Sequence, residues 1–143
     1  MKNNNFILFA KKRTGEINGM TCGWVTDGIL WNRNVKMVFV RKSRYTYEFL
    51  NESEYFFTAK FDDEKLLNYF GAVTGRDEDK IKKTGLKIVT ENGKDMIEGA
   101  LENVYMRKIA VFDSAKADFL DEEIVKKFRE DEDSHVIFVG EIL

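Results

Sequence analysis

Three basic residues fall within four positions of VRKSRYTYEFL, residues 40–50, where Arg41, Lys42 and Arg44 follow an apolar run and precede a short helical pattern. If Ser43 or Thr46 caps that helix, its first backbone N–H groups point where the guanidinium groups point, which is the chemistry of a phosphate monoester site. The same residues also read as an exposed basic turn that solvates a helix start. A second segment is NGMTCGW, residues 18–24, in which Gly19 and Gly23 enclose Met20, Thr21 and Cys22. Its small residues leave the backbone accessible to a planar heterocycle, with N–H groups able to stabilise negative charge on the ring. An ordinary turn entering a strand, with Trp24 in the core, fits the residues equally well. The third is TGRDEDK, residues 74–80, where Gly75 and Arg76 precede a marked helix. Here Arg76 either reaches a ligand while Asp77 caps the helix, or is a surface arginine at a helix start.

Two further residues carry reactive chemistry. Cys22 is a nucleophile only if a base lies near, and none does in sequence, so it reads as a small packed residue. His135 opens the last strand and reads either as a contact to substrate or nicotinamide or as a structural histidine at a strand end. The chain contains no Ser-His-Asp order, GxGxxG, phosphate loop or HExxH.

Elements that position these groups are mostly strands. Short β-prone runs bounded by turn residues cover 6–10, 21–26, 35–40, 55–61, 100–112 and 136–143. The near-continuous apolar character of VKMVFV and HVIFVGEIL suits strands covered on both faces. Helices are expected over 46–51, over 64–73 with a stripe of Leu66, Leu67, Phe70 and Val73, and over 121–128, acidic first and basic later. A fourth, 77–84, has acids in its first turn, lysines in its last and Gly85 as its stop. These helices do not alternate strictly with the strands, which disfavours a doubly wound parallel sheet. Glu130 to Asp133 reads as a solvated acidic loop.

Composition sets the limits. A chain of 143 residues with 43% hydrophobic content and 12 phenylalanines builds one domain, spanning 1–143. Its net charge of −2 provides no general field toward nucleic acid or anionic lipid, so anion binding has to be local. With one cysteine and one histidine, neither an internal disulfide nor a structural zinc site is expected. No apolar run reaches membrane-span length, and MKNNNFILFA has the wrong order for a signal peptide, so a cytoplasmic location is expected.

Taken in order, the segments resemble the flavin reductase-like family of FMN-binding split barrels from about Gly19 to the C-terminus. NGMTCGW is similar to the family's N-x-M-T-x-S-W loop beside the flavin ring. GILWNRNVKMVFVRKSRYTYEFL resembles its strand, phosphate loop and helix, and TGRDEDKIKKTGL resembles S-G-R-D-x-D-K-x-x-x-T-G-L. ADFLDEEI and HVIFVGEI resemble F-L-D-x-x-I and H-x-x-x-x-G-E-I. The resemblance implies a mainly β, antiparallel split barrel with short inserted helices, forming a homodimer with flavin near the interface. It implies that FMN phosphate is held around Arg41, Ser43, Arg44 and Thr46, and the ring against Met20, Thr21, Cys22 and Gly23. Gly75, Arg76, Asp77 and Lys80 would complete the site. Two departures stand out: Cys22-Gly23 replaces a small-Ser pair, removing a hydroxyl, and Lys42 replaces a common proline. The implied activity is an NAD(P)H-dependent flavin reductase that passes hydride to flavin N5, which needs no protein acid or base. A flavin-binding electron carrier or sensor without its own nicotinamide site is the alternative, and a barrel that has lost flavin for protein interaction is a third reading.

Overall fold

The computed structural model describes residues 6–143; the first five, part of the N-terminal segment read above, lie outside the described residues. The strands are β1 (Phe6–Lys11), β2 (Ile17–Cys22), β3 (Val25–Leu30), β4 (Arg33–Arg41), β5 (Tyr55–Lys60), β6 (Ile88–Glu91), β7 (Lys94–Ile97), β8 (Glu102–Asp113) and β9 (His135–Ile142). The helices are α1 (Tyr45–Glu52), α2 (Glu64–Ala72), α3 (Lys80–Thr84) and α4 (Glu122–Phe128), with a 3-10 turn at Ser114–Lys116.

Among the described residues, seven strands form one antiparallel sheet in the order β2-β1-β5-β8-β9-β4-β3, and β6 and β7 form a separate hairpin. β2 and β3 hold opposite edges of the large sheet, yet only Gly23 and Trp24 separate Cys22 from Val25. Three Cα steps reach about 11 Å, whereas six strand spacings in a flat sheet amount to about 29 Å. The sheet therefore has to curl until its edges meet at this link. Phe39 N–H donates to Trp24 O at 3.2 Å, tying the link to β4. Elsewhere, among the described residues, β2 pairs with β1 and β3 with β4. The fold is an antiparallel split β-barrel, closed at residues 22–24.

Two cores follow from the strand alternation. Leu8, Ala10, Met20, Cys22, Val38, Val40, Phe56, Met106, Val136 and Phe138 point into the barrel, whose interior is plugged by Phe49 and Leu50 of α1. Ile7, Phe9, Phe57 and Ala59 point outward and are covered by Phe70 of α2 and Ile97 of β7. β1 is thus buried on both faces, which is why FILFA reads as continuous apolar sequence. The barrel interior is tight enough that a Cβ on Gly140 would lie 2.7 Å from Met106 Cβ.

Several sequence expectations change. The run 21–26, expected as one strand, is broken at Gly23-Trp24, because the chain changes sheet edge there. Helix 77–84 begins only at Lys80, since the Asp79 carboxylate, rather than Asp77, accepts the capping bond from Lys82 N–H; Gly85 stops it in the left-handed region, as expected. Neither Ser43 nor Thr46 caps α1: Arg44 occupies the cap position without a side-chain bond. The β6–β7 hairpin was not anticipated, although Asn92-Gly93, both at positive φ, form a two-residue turn suited to it. Glu130, expected in a solvated loop, is buried.

Candidate functional site

The barrel closure creates a cleft. Met20, Thr21, Cys22, Gly23 and Trp24 form one wall, and Phe39, Arg41, Arg44 and His135 the other, around an open hollow of about 180 Å³. Two of the three segments singled out in the sequence meet here because β2 and β4 are brought together at the seam. Met20 and Cys22 point into the barrel core, so the cleft floor is apolar. The Cys22 thiol contacts the Trp24 and Phe39 carbonyls, and burial pushes it up to about 11, keeping it a neutral packing group. Gly23 stands at the rim, where a Cβ would meet nothing within 4 Å.

The two arginines approach the cleft from β4 and from the turn that follows it. Arg41 Nη1 donates to the Asp133 carbonyl at 2.6 Å. Arg44 donates to the carbonyls of Gly71 and Phe70 at 3.1 and 3.4 Å, at the C-terminal end of α2 where carbonyls lack helical partners. Burial lowers its pKa, yet a guanidinium keeps its charge, and with five N–H groups each arginine retains donors for a ligand. Lys42, the third cation of the cluster, turns away to pair with Asp113 at 2.5 Å.

Ser43 already binds an anion. Its hydroxyl and backbone N–H donate to the Asp133 carboxylate at 2.6 and 3.2 Å, and Arg41 stands 3.9 Å from the same group. The donor set here therefore fits an anionic oxygen group, with Asp133 as an internal occupant of part of it.

The other expected site residues lie around the cleft. Thr46 is buried and accepts from Asn18 Nδ2 at 2.7 Å, tying α1 to β2. Gly75 packs so close that a Cβ would collide with Asn18 and Tyr45. Arg76 bonds the Ser43 carbonyl at 3.3 Å and Glu48 at 2.9 Å and stacks 4.9 Å from the Tyr45 ring. It therefore borders the Ser43 turn from the same chain. Asp77 is exposed, its N–H donating to Thr74 O. Lys80 lies buried behind α2, its ammonium donating to the Phe70 and Val73 carbonyls at 3.1 and 2.8 Å. Burial first, then the Arg44 charge, push its pKa down to about 8.

Three further groups stand on the cleft wall, of which His135 reads from sequence as either a ligand contact or a structural strand-end residue, and Trp24 and Phe39 were not assigned to the site. Trp24, expected as core in one reading, is 43% exposed and packs on His135 at 4.4 Å and on Phe128 at 4.9 Å. Phe39 and His135 arrive through long-range pairing, with His135 opposite Arg41 in the β4–β9 register. No local sequence signal announces that pairing.

A curled antiparallel sheet that closes edge to edge is a split barrel, and its closure sets Arg41 and Arg44 against the 20–24 strand end. The chain belongs to the flavin reductase like domain family, whose model matches residues 1–143. It is similar to flavoredoxin from Methanosarcina acetivorans, with 25% identity and a TM-score of 0.71 over 99% of this chain and 66% of that one. It also shares its fold with flavoredoxin of Desulfovibrio vulgaris (19% identity, TM-score 0.73, 99% and 67% covered). A Streptomyces globisporus NADH:FAD oxidoreductase shares it too (16% identity, TM-score 0.68, 99% and 72% covered). The chain thus spans about two thirds of the length of those flavoredoxins. A sequence search of curated proteins returned no match. No helix among the described residues is long and apolar enough to cross a membrane.

Proposed function

We propose that this chain binds FMN in the seam cleft and acts as an NAD(P)H-dependent flavin reductase. The observation that carries the reading is the convergence of Arg41 and Arg44 with the Met20–Gly23 strand end in one hollow. When bound, the flavin supplies the redox chemistry, taking hydride at N5 from a reduced nicotinamide and passing electrons to an acceptor. The protein's part is positional and electrostatic. Arg41 and Arg44 hold the phosphate with donors left over from their carbonyl contacts, and Ser43 joins them once the Asp133 carboxylate yields its place. The 20–23 rim orients the ring over an apolar floor that excludes water. Thr46, Gly75 and Lys80 support these groups from beneath, and Arg76 and Asp77 border the phosphate turn.

A homodimer belongs to the same reading. The cleft of about 180 Å³ falls short of the roughly 300–1,000 Å³ usual for ligand pockets, and a second chain packed beside it would enlarge and enclose it. Phe39 is shared between the cleft and a groove of about 730 Å³ lined also by Tyr47, Val111, Phe112 and Phe119. Such an apolar surface next to the site suits an interface.

The fold shared with an NADH:FAD oxidoreductase supports the nicotinamide step, and the likeness to flavoredoxin supports an electron carrier as the second reading. Anaerobic addition of NADH and NADPH to the FMN-loaded protein separates them. Bleaching of the visible flavin bands by a nicotinamide is expected; bleaching by dithionite alone would leave the carrier, and failure to take up FMN would remove both.

A further inference from the structure

Beside the cleft lies a buried carboxylate that the reductase reading does not use. Glu130 is 3% exposed and follows α4, in the acidic run that sequence assigns to solvent. It accepts from the Ser114 hydroxyl, from the His135 backbone N–H at 3.1 Å and from the His135 ring at Nδ1. Burial raises its carboxyl pKa, and these donors together outweigh burial and hold it below the usual carboxylate range. The ionised carboxylate is an acceptor only, so the proton in the contact belongs to Nδ1 of the histidine. Nε2 is then the ring nitrogen left without a partner among the described residues. The ring itself is clamped: Glu130 holds one edge, the Trp24 indole packs at 4.4 Å, and His135 is among the residues that line the cleft.

We infer that Glu130 is a positioning residue that acts through His135, fixing the imidazole tautomer and orientation so that Nε2 offers one hydrogen bond to the amide-like edge of the planar ligand in the cleft. This rests on the cleft being a flavin site. In the neutral form of the ring, Nε2 is an acceptor, which matches a ring or carboxamide N–H donor. Without the carboxylate both tautomers are populated and the ring turns about its side-chain bonds, so the bond to the ligand is made only part of the time.

The chain has a single histidine, so its imidazole signals need no assignment. A long-range proton–nitrogen NMR spectrum of the ligand-free protein at mildly alkaline pH is expected to show the Nδ1–H tautomer. In Glu130→Gln it is expected to show a mixture, with a near-native melting profile because the amide preserves shape. Riboflavin, which carries the ring without the phosphate, is expected to bind Glu130→Gln about 3- to 10-fold more weakly than wild type. The same substitution in a His135→Asn background is expected to change nothing further. A predominantly Nε2–H tautomer in the wild type overturns the inference, as does unchanged riboflavin binding in Glu130→Gln or an equal loss in the His135→Asn background. A wild type that binds no riboflavin overturns the flavin reading and the ligand assigned here together, and the tautomer spectrum still shows whether Glu130 sets the ring.

Discussion

If the cleft takes FMN as proposed, single residues decide how strongly it would hold it. Gly23 stands where the family resemblance places a serine, and its Cβ position faces open space. Gly23→Ser is therefore expected to fold with an unchanged melting temperature and to bind FMN about 3- to 10-fold more tightly, as one added hydrogen bond would give; fluorescence titration measures it. Asp133 works the other way, because its carboxylate holds the Ser43 donors and lies 3.9 Å from Arg41. Asp133→Asn keeps the shape and removes the competing charge, and is expected to tighten FMN by about 5-fold, the scale of one partly exposed ion pair. Riboflavin, lacking the phosphate, is expected to respond little. The arginine cluster and the NGMTCGW rim were legible because cations and glycines at close spacing are local signals. His135 was legible only as one of two readings, a ligand contact or a structural strand-end residue. Asp133 and Glu130 were not legible, because Asp133 meets Ser43 across 90 positions of chain and the contacts of Glu130 with Ser114 and His135 form only once β8 and β9 are paired.

At the level of elements, the end of α2 acts as a platform. Arg44 and Lys80 both donate to the Phe70 carbonyl, while Gly71 and Val73 take one bond each. Two cations at one helix C-terminus satisfy its orphan carbonyls and hold Arg44 under the cleft. The same packing makes Lys80 a titrating group. Its folded pKa is about 8 against 10.5, so between these values the unfolded chain binds more protons and stability from Lys80 rises with pH. Cys22 opposes this, since its thiol is raised from 9.0 to about 11 and its contribution falls as pH climbs through that range. The wild type is accordingly expected to gain stability relative to Lys80→Met as pH rises from about 8 to 10.5, and urea melts at several pH values measure the gain. Parallel curves would mean that Lys80 is not shifted. Most helices were readable from stripes, end charges and stops, as with the apolar stripe of α2, the acid-to-base order of α4 and Gly85 after α3. The start of α3 was misplaced because Asp77 and Asp79 look alike as caps, and only the backbone chooses between them.

For the whole molecule, the closure link is the organising feature. Gly23 and Trp24 join opposite edges of one sheet, and the curling this forces makes both the barrel and the cleft. Strand content and the split barrel could be read from alternation and from the resemblance. The edge-to-edge crossing could not, because Thr21 to Thr26 has no residue that by type forbids a continuous strand. Trp31 and Phe112 are exposed and their rings lie 6.3 Å apart, and a contiguous apolar patch of this kind suits an interface. Sedimentation is expected to report a dimer, and Phe112→Asp is expected to shift it toward monomer and weaken FMN binding in step. A wild-type monomer that binds FMN fully would remove the second chain from the site. If the seam cleft holds a flavin by its phosphate, parallel FMN and riboflavin titrations of wild type and Arg44→Gln will separate the two ligands. The expected result is an FMN affinity lowered by about 10-fold or more, the loss of one charge-assisted contact, with riboflavin nearly unchanged. Equal losses for both ligands, or an unchanged FMN affinity, would contradict it.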